Sequence, residues 1–126
     1  MNPVDPASAL GQPGAAELER RFGPGEARPR DEGWRELAWK QTWFGCEVEA
    51  SYTFDPADRL VRIDLAARDA RDVEAAMRRA LGEPERDGPS PQVMMSARFI
   101  RWARAGVAYF LEDYAPGCEV GIVRDL

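Results

Sequence analysis

The spacing of apolar residues along the first half of this chain predicts one helix followed by antiparallel strands. Apolar side chains within residues 15–22 fall on one face of a helix, which Gly23 is suited to end. From residue 34 the apolar spacing changes to every second position, and residues 48–54 alternate between apolar and polar side chains, as in a half-buried strand. An Asp-Pro turn at 55–58 leads into residues 60–65, which complete a hairpin.

The second half repeats this order. Asp69 is placed to cap a helix that reaches residue 81. A polar loop is predicted at 82–93, and strands are then predicted near 94–104, 107–112 and 119–124. The predicted fold class is therefore α+β: two tandem helix-plus-three-strand repeats that form an antiparallel sheet, with two helices packed on one face.

The two halves also match in sequence when one is shifted by 59 positions, the distance from Gly23 to Gly82. This shift places Trp43 on Trp102, and matching a tryptophan and a glycine in one register is harder to obtain by chance than matching apolar residues. An internal repeat indicates one supersecondary unit used twice. The prediction is a single domain, residues 1–126, with repeats at about 12–65 and 69–126 and a flexible arm at 1–11.

Charge and composition exclude several classes of function. The net charge is −5 and the pI about 4.8, whereas binding to nucleic acid or anionic membranes requires a basic surface. The same charge suits a basic protein partner. Because the chain has no histidine, Ser-His-Asp and Cys-His catalysis and most zinc sites are excluded. We therefore expect a non-enzymatic protein without cofactor or metal.

The two cysteines and the chain's first residues bear on its compartment. Cys46 and Cys118 are expected to be reduced, half-buried thiols in a cytoplasmic protein, and a disulfide between them is the alternative. No signal-like or membrane-spanning apolar run is found, so the expected location is the cytoplasm.

The candidate partner-binding residues lie around the first predicted hairpin. Aromatic residues are concentrated here, and exposed aromatic side chains mark interfaces, while glutamates on the adjoining strand can recognise Arg or Lys of a partner. The alternative places both tryptophans in the core, Phe44 under a loop and the glutamates on a solvated sheet face. The residues predicted to contact a partner are Trp39, Trp43, Phe44, Glu47 and Glu49.

The order of motifs resembles the SmpA/OmlA (BamE-like) fold and its relative, the β-lactamase inhibitory protein. The residues that carry the resemblance are two helix ends, Phe22–Pro24 and Leu81–Pro84, and the strand end Tyr52–Asp55. This resemblance implies a protein-binding module whose open sheet face meets the partner. It transfers no individual residue's role.

Three functions follow as expectations. The first is a protein-binding module, such as an inhibitor or a toxin-neutralising immunity protein, acting on another and possibly basic protein as a monomer or homodimer. The second is a cytosolic chaperone or adaptor for a secreted effector. The third is a small-ligand binder with a pocket between the long loops at 23–33 and 82–93.

Overall fold

The computed structural model describes residues 3–12, 14–89 and 98–125. Within them lie three short helices, α1 (Pro6–Ala9), α2 (Ala15–Phe22) and α3 (Ala70–Leu81). Their strands are β1 (Glu26–Arg28), β2 (Arg35–Trp43), β3 (Cys46–Phe54), β4 (Leu60–Ala67), β5 (Arg86–Pro89), β6 (Arg98–Arg104), β7 (Val107–Asp113) and β8 (Cys118–Arg124). Residues 94–97 of the predicted strand 94–104 and residues 90–93 of the predicted loop lie outside the described residues.

The strands form one eight-stranded antiparallel sheet in the order β1-β2-β3-β4-β8-β7-β6-β5. The predicted fold class is wrong: the described residues form mostly sheet with three small helices, and not two helix-plus-three-strand repeats with two helices on one face. The strands β1 and β5 lack apolar alternation and contain charged residues, Gly and Pro, which led to the prediction of loops. They become strands because they pair with the edges of β2 and β6.

One face of the sheet, which we call the core face, carries most of the buried side chains. Its fully buried members include Tyr52, Phe54, Ile63, Trp102 and Ile122. The helices contribute Leu18, Phe22, Val73 and Met77 to the same core. The opposite or outer face carries most of the charged strand residues, as the period-two alternation of β2 and β3 requires.

Each longer helix ends in the same way. Gly23 follows α2 with φ 88°, and Gly82 follows α3 with φ 86°, a region that favours glycine. The indole N–H of Trp39 donates to the carbonyl of Gly23 (3.0 Å), and that of Trp102 donates to the carbonyl of Gly82 (2.9 Å). The ungapped shift of 59 therefore matches the wrong tryptophan to Trp102, because 20 residues separate Trp102 from its glycine and only 16 separate Trp39 from Gly23.

The start of the chain packs against the sheet in the described residues, whereas the sequence predicted a flexible arm at 1–11. Val4 and Leu10 are buried. The N–H of Gly11 donates to the carbonyl of Leu60 (2.7 Å), and the N–H of Leu60 donates to the carbonyl of Gln12 (3.0 Å). Two isolated apolar anchors give no periodic signal, so the pattern of this segment could not show that it packs. No helix in the described ranges is both long and apolar enough to cross a membrane.

Candidate functional site

A groove of about 900 Å³ opens where the start of β3 separates from the end of β4. We call it the hairpin groove. It is bounded by the β2–β3 hairpin, the last residues of β4 and the first turn of α3, and its lining residues are Lys40, Gln41, Thr42, Gly45, Cys46, Glu47, Val48, Glu49, Ala66, Ala67, Arg68, Asp69, Asp72 and Val73.

The groove exists because β3 is longer than its pairing with β4. The two-residue turn Phe44–Gly45, with φ 52° and 78°, lets β3 pair with β2 from Cys46 onward. Pairing of β3 with β4, in contrast, begins only at Glu49, opposite Ala66. The first two residues of β3, Cys46 and Glu47, therefore have a neighbouring strand on one side only, because β4 ends at Ala67, opposite Val48.

The chain bends out of the sheet after Ala67, because α3 begins three residues later, at Ala70. Asp69 caps the helix, and its carboxylate accepts the N–H of Asp72 (3.1 Å). The N–H of Ala70 donates to the carbonyl of Pro116 (2.8 Å), which ties the helix start to the turn before β8. These bonds turn the chain away from β3 directly after Ala67.

Four carboxylates and two cations line the groove: Glu47, Glu49, Asp69 and Asp72, with Lys40 and Arg68. Glu47 is exposed, and its side chain makes no hydrogen bond or ion pair with another described residue. Glu49 is half-buried and ion-paired with Arg28. Glu47 thus provides an exposed carboxylate that forms no ion pair with the described residues, in a groove that also contains Lys40 and Arg68.

Cys46 lies in the groove between the hairpin and α3. Its Sγ is 3.9 Å from the carbonyl oxygen of Phe44 and 3.8 Å from that of Asp72, so the thiol donates to main-chain acceptors. Burial raises the pKa of the Cys46 thiol, and the negative charge of Asp72 raises it further, against a smaller lowering by Arg79. The thiol is therefore held protonated at neutral pH, which disfavours nucleophilic chemistry. No group of three or more Cys, Asp or Glu able to hold a metal ion occurs in the described residues.

The structure brings two of the five predicted contact residues into the groove, Glu47 and Glu49. Phe44 lies beside it in the β2–β3 turn and is half-buried, with its ring centroid 6.2 Å from that of Tyr109. The partner contact predicted for these three residues stays a prediction.

Trp39 and Trp43 lie in the core instead, which is where the alternative interpretation of the sequence placed them. Trp39 is 6% exposed and packs edge-on against Phe22 and Tyr52, at centroid distances of 5.3 and 5.4 Å. Trp43 is 3% exposed, and its indole N–H donates to Oε1 of Gln41 (2.9 Å). Buried rings present no surface to a partner, so the predicted contact role of both tryptophans is corrected to a packing role.

Several groove residues were missed from the sequence, chiefly Lys40, Arg68 and Asp72. Each reads as an ordinary surface residue of a strand, a turn or a helix. Among the charged groove residues beyond the predicted contacts, only Asp69 was singled out from the sequence. It was predicted as the cap of α3, which indicated a helix start and not a binding site. What brings these residues beside Glu47 is the point at which β4 stops pairing with β3, and that point depends on tertiary contacts.

Comparison with known proteins shows a likeness of fold. No family model and no curated protein matches the chain. The structure is similar to the crystal structure of a DUF4309 family protein (YjgB) from Bacillus subtilis subsp. subtilis str. 168, with a TM-score of 0.56 and 10% sequence identity. The likeness covers 87% of this chain and 77% of that one, and at this identity it concerns the fold alone.

Proposed function

We propose that this chain is a non-enzymatic protein-binding module that receives a basic segment of its partner in the hairpin groove. The observation that carries the proposal is the meeting of Glu47 with Asp69 and Asp72 around one open groove, although these residues lie on different elements. Carboxylates arranged in this way complement Lys or Arg of a partner and disfavour acidic competitors.

Further glutamates lie on the outer face beyond the groove. The pairing register places Ala66 between Glu49 and Glu119, and it places Glu112 opposite Glu119. Glu49, Glu119 and Glu112 thus lie in one row that continues from the groove, with Lys40 opposite Glu49 at its β2 end. Such a row speeds the encounter with a basic partner, and the speed falls as salt screens the charges.

Binding is favoured over covalent catalysis by the state of Cys46. Its raised pKa keeps the thiol protonated, and its single S–H has two main-chain carbonyls, of Phe44 and Asp72, as acceptors. The groove carboxylates Glu49 and Asp69 are likewise engaged, one by Arg28 and the other by the amide of Asp72. Side chains already held in this way are suited to a fixed recognition surface.

The finer role we propose is that of an inhibitor or toxin-neutralising immunity protein, which would act by covering a basic surface of its target. A chaperone or adaptor for a secreted effector is the alternative, and its client would bind while incompletely folded. The two are separated by the partner's state in the complex, which hydrogen exchange of the partner's amides measures.

The test compares three tagged baits in the native lysate: the unaltered chain, Glu47→Arg and the control Glu32→Arg. Glu32 is an exposed turn residue, so its reversal changes the net charge equally without touching the groove. We expect one basic protein to bind the unaltered chain and the control stoichiometrically, to be lost from Glu47→Arg, and to be weakened by salt. Retention of that protein by Glu47→Arg, or recovery of every bait alone, contradicts the proposal.

A second candidate, a small cationic ligand, is favoured by the groove's volume of about 900 Å³, which lies within the roughly 300–1,000 Å³ of small-molecule sites. The described residues of the predicted loops, 23–33 and 82–89, do not line this groove. Calorimetric titration with arginine and spermidine tests it. Saturable binding of either to the unaltered chain and not to Glu47→Arg supports this candidate, whereas equal heats from both proteins exclude it.

A further inference from the structure

The main chain at the start of β3 has an open side in the groove. Successive residues of an antiparallel strand direct their N–H and C=O groups to opposite sides. Because a two-residue turn joins β2 and β3, Trp43 and Cys46 form the closing hydrogen-bonded pair, and the main chain of Cys46 and Val48 faces β2. The main chain of Glu47 and Glu49 must then face β4.

Only one of these two residues meets a partner on that side. Glu49 is paired with Ala66, and continuation of the same register would place Glu47 opposite Arg68. The ladder stops before that pair, because the chain bends at Arg68 into the cap of α3. The N–H and C=O of Glu47 therefore point into the groove without an opposing strand among the described residues.

Unpaired main-chain groups at a strand edge are a template for an added strand. The other sheet edges described here are short and carry charges or proline, in β1 and β5, which discourages pairing. The edge at Glu47 differs from them because it lies inside a groove with walls on both sides.

The walls of the groove define the side chains that an added strand would carry. A residue directly opposite Glu47 has its Cβ about 4.5–5.5 Å from that of Glu47 and shares its outer face. Lys or Arg at this position would pair with the free carboxylate of Glu47. The neighbouring residue of the added strand, opposite Cys46, would point to the other face, where Val73 is buried at the groove. The position opposite Val48 is already taken by Ala67 of β4.

We propose that the partner's basic segment binds as an extended strand, hydrogen-bonded to the main chain of Glu47, with a basic residue opposite Glu47 and an apolar residue opposite Cys46. This proposal rests on the proposed function and adds the mode of recognition to it. It assigns to Glu47 two separable contributions, a carboxylate that selects charge and a main-chain N–H and C=O that fix the strand.

The experiment titrates the full isotope-labelled chain with three peptides and follows its amide resonances by NMR. The peptides are acetyl-Thr-Val-Arg-Val-Thr-amide, the same peptide N-methylated at the amide of Arg, and the version with Glu in place of Arg. We expect the first to shift the amides of Glu47, Glu49 and Asp72. N-methylation should raise the Kd about tenfold, the effect of one lost hydrogen bond, and the Glu peptide should not bind.

Two substitutions separate charge from main chain. Glu47→Gln removes the carboxylate and keeps the N–H, whereas Glu47→Pro removes both and spares the ladder to β2. We expect Glu47→Pro to stay folded and to bind the Arg peptide more weakly than Glu47→Gln does. The control Val48→Pro removes a bond to β2 and should unfold the hairpin.

The outcomes distinguish this inference from the function on which it rests. Equal affinity for the parent and N-methylated peptides, or no amide shift with any peptide, overturns strand addition. If Glu47→Arg nevertheless loses the native partner in the lysate experiment, the proposed binding function stands. Should Glu47→Pro fail to fold, because proline also fixes φ and restricts the residue before it, the comparison of the parent and N-methylated peptides on the unaltered chain decides whether strand addition stands.

Discussion

Cys46 and Cys118 lie near the groove but differ in exposure. Cys46 lines the groove and is half-buried, whereas Cys118 is buried and pairs with Ala67 across the β4–β8 ladder. Burial, followed by the negative charge of Asp113, raises the pKa of the Cys118 thiol to about 12. Both thiols are free in the structure, in line with the reduced state expected from the sequence.

We predict that a thiol reagent at pH 8 modifies Cys46 slowly, because its raised pKa leaves little thiolate, and leaves Cys118 unmodified until the protein unfolds. The thiolate is the reactive species. Cys118 is buried, and pH 8 lies far below the pKa of its thiol, so almost none of it is thiolate. The measurement is the number of thiols that react with a chromogenic disulfide before and after addition of denaturant. In Cys46→Ser we expect no thiol to react before denaturant is added, and a reaction there would show that Cys118 is accessible in the folded state.

The same pKa predicts how stability changes in alkali. The folded-state pKa of Cys118 lies above its ordinary value of 9.0, so the unfolded state loses this proton first. The stability contributed by the protonated thiol is complete below pH 9 and is lost as pH rises towards 12. Denaturation followed from pH 8 to pH 11 should show a smaller decline in Cys118→Ala than in the unaltered chain, and parallel curves would refute the assignment.

A buried polar cluster on the core face gives another residue-scale prediction. Oε1 of Gln41 accepts both the indole N–H of Trp43 and the hydroxyl of Tyr52 (2.7 Å). Gln41→Leu leaves two buried donors without this acceptor. Each donor that loses its acceptor should lower the free energy of unfolding by about 1–3 kcal/mol. Denaturant titration measures this, with exposed Thr42→Val as control, expected within about 0.5 kcal/mol. Similar small changes in both variants would argue against the cluster.

At the scale of elements, the periodicity of apolar residues predicted the helices and strands that contribute side chains to the core. The helices α2 and α3 and the strands β2–β4, β7 and β8 were predicted because their apolar positions repeat at helical or strand spacing. The edge strands β1 and β5 were missed, since their pairing partners and not their own side chains stabilise them. The candidate site was only partly predictable: Glu47 and Glu49 stood out on a polar strand face, but nothing local places them beside Asp72.

The helix ends provide a prediction at this scale. Trp39 and Trp102 each fill the core and hold the carbonyl of the glycine that ends a helix. Replacement by Phe removes the hydrogen bond and leaves a small cavity, so we expect each variant to lose about 1–3 kcal/mol of stability, and Trp39→Ala about 3–5 kcal/mol. Denaturant titration tests this, with Trp34→Phe as the control.

Trp34 is suitable as the control because its side chain is 37% exposed. Its replacement should change stability by no more than about 0.5 kcal/mol. If Trp39→Phe and Trp34→Phe were equally stable, the bond to Gly23 would contribute nothing measurable, and the common helix ending would be a coincidence of geometry.

At the scale of the whole molecule, the β4–β8 ladder joins the first half of the chain to the second. Ile63 and Ile122 face each other across it, and both are fully buried. The same ladder continues to Ala67 and Cys118, and so reaches the groove. Loss of packing at this junction should therefore weaken both halves and the site together, since no boundary in the core separates them.

We accordingly predict that Ile63→Ala and Ile122→Ala each lower the free energy of unfolding by about 2–5 kcal/mol within a single cooperative transition. Exposed Ala66→Ser on β4 is the control and should leave the midpoint unchanged. Circular dichroism reports the whole sheet, whereas tryptophan emission is weighted towards the first half, which holds three of the four tryptophans. Coincident transitions by both probes are expected, and a first-half signal that unfolded separately from the sheet signal would show that the ladder does not couple the halves.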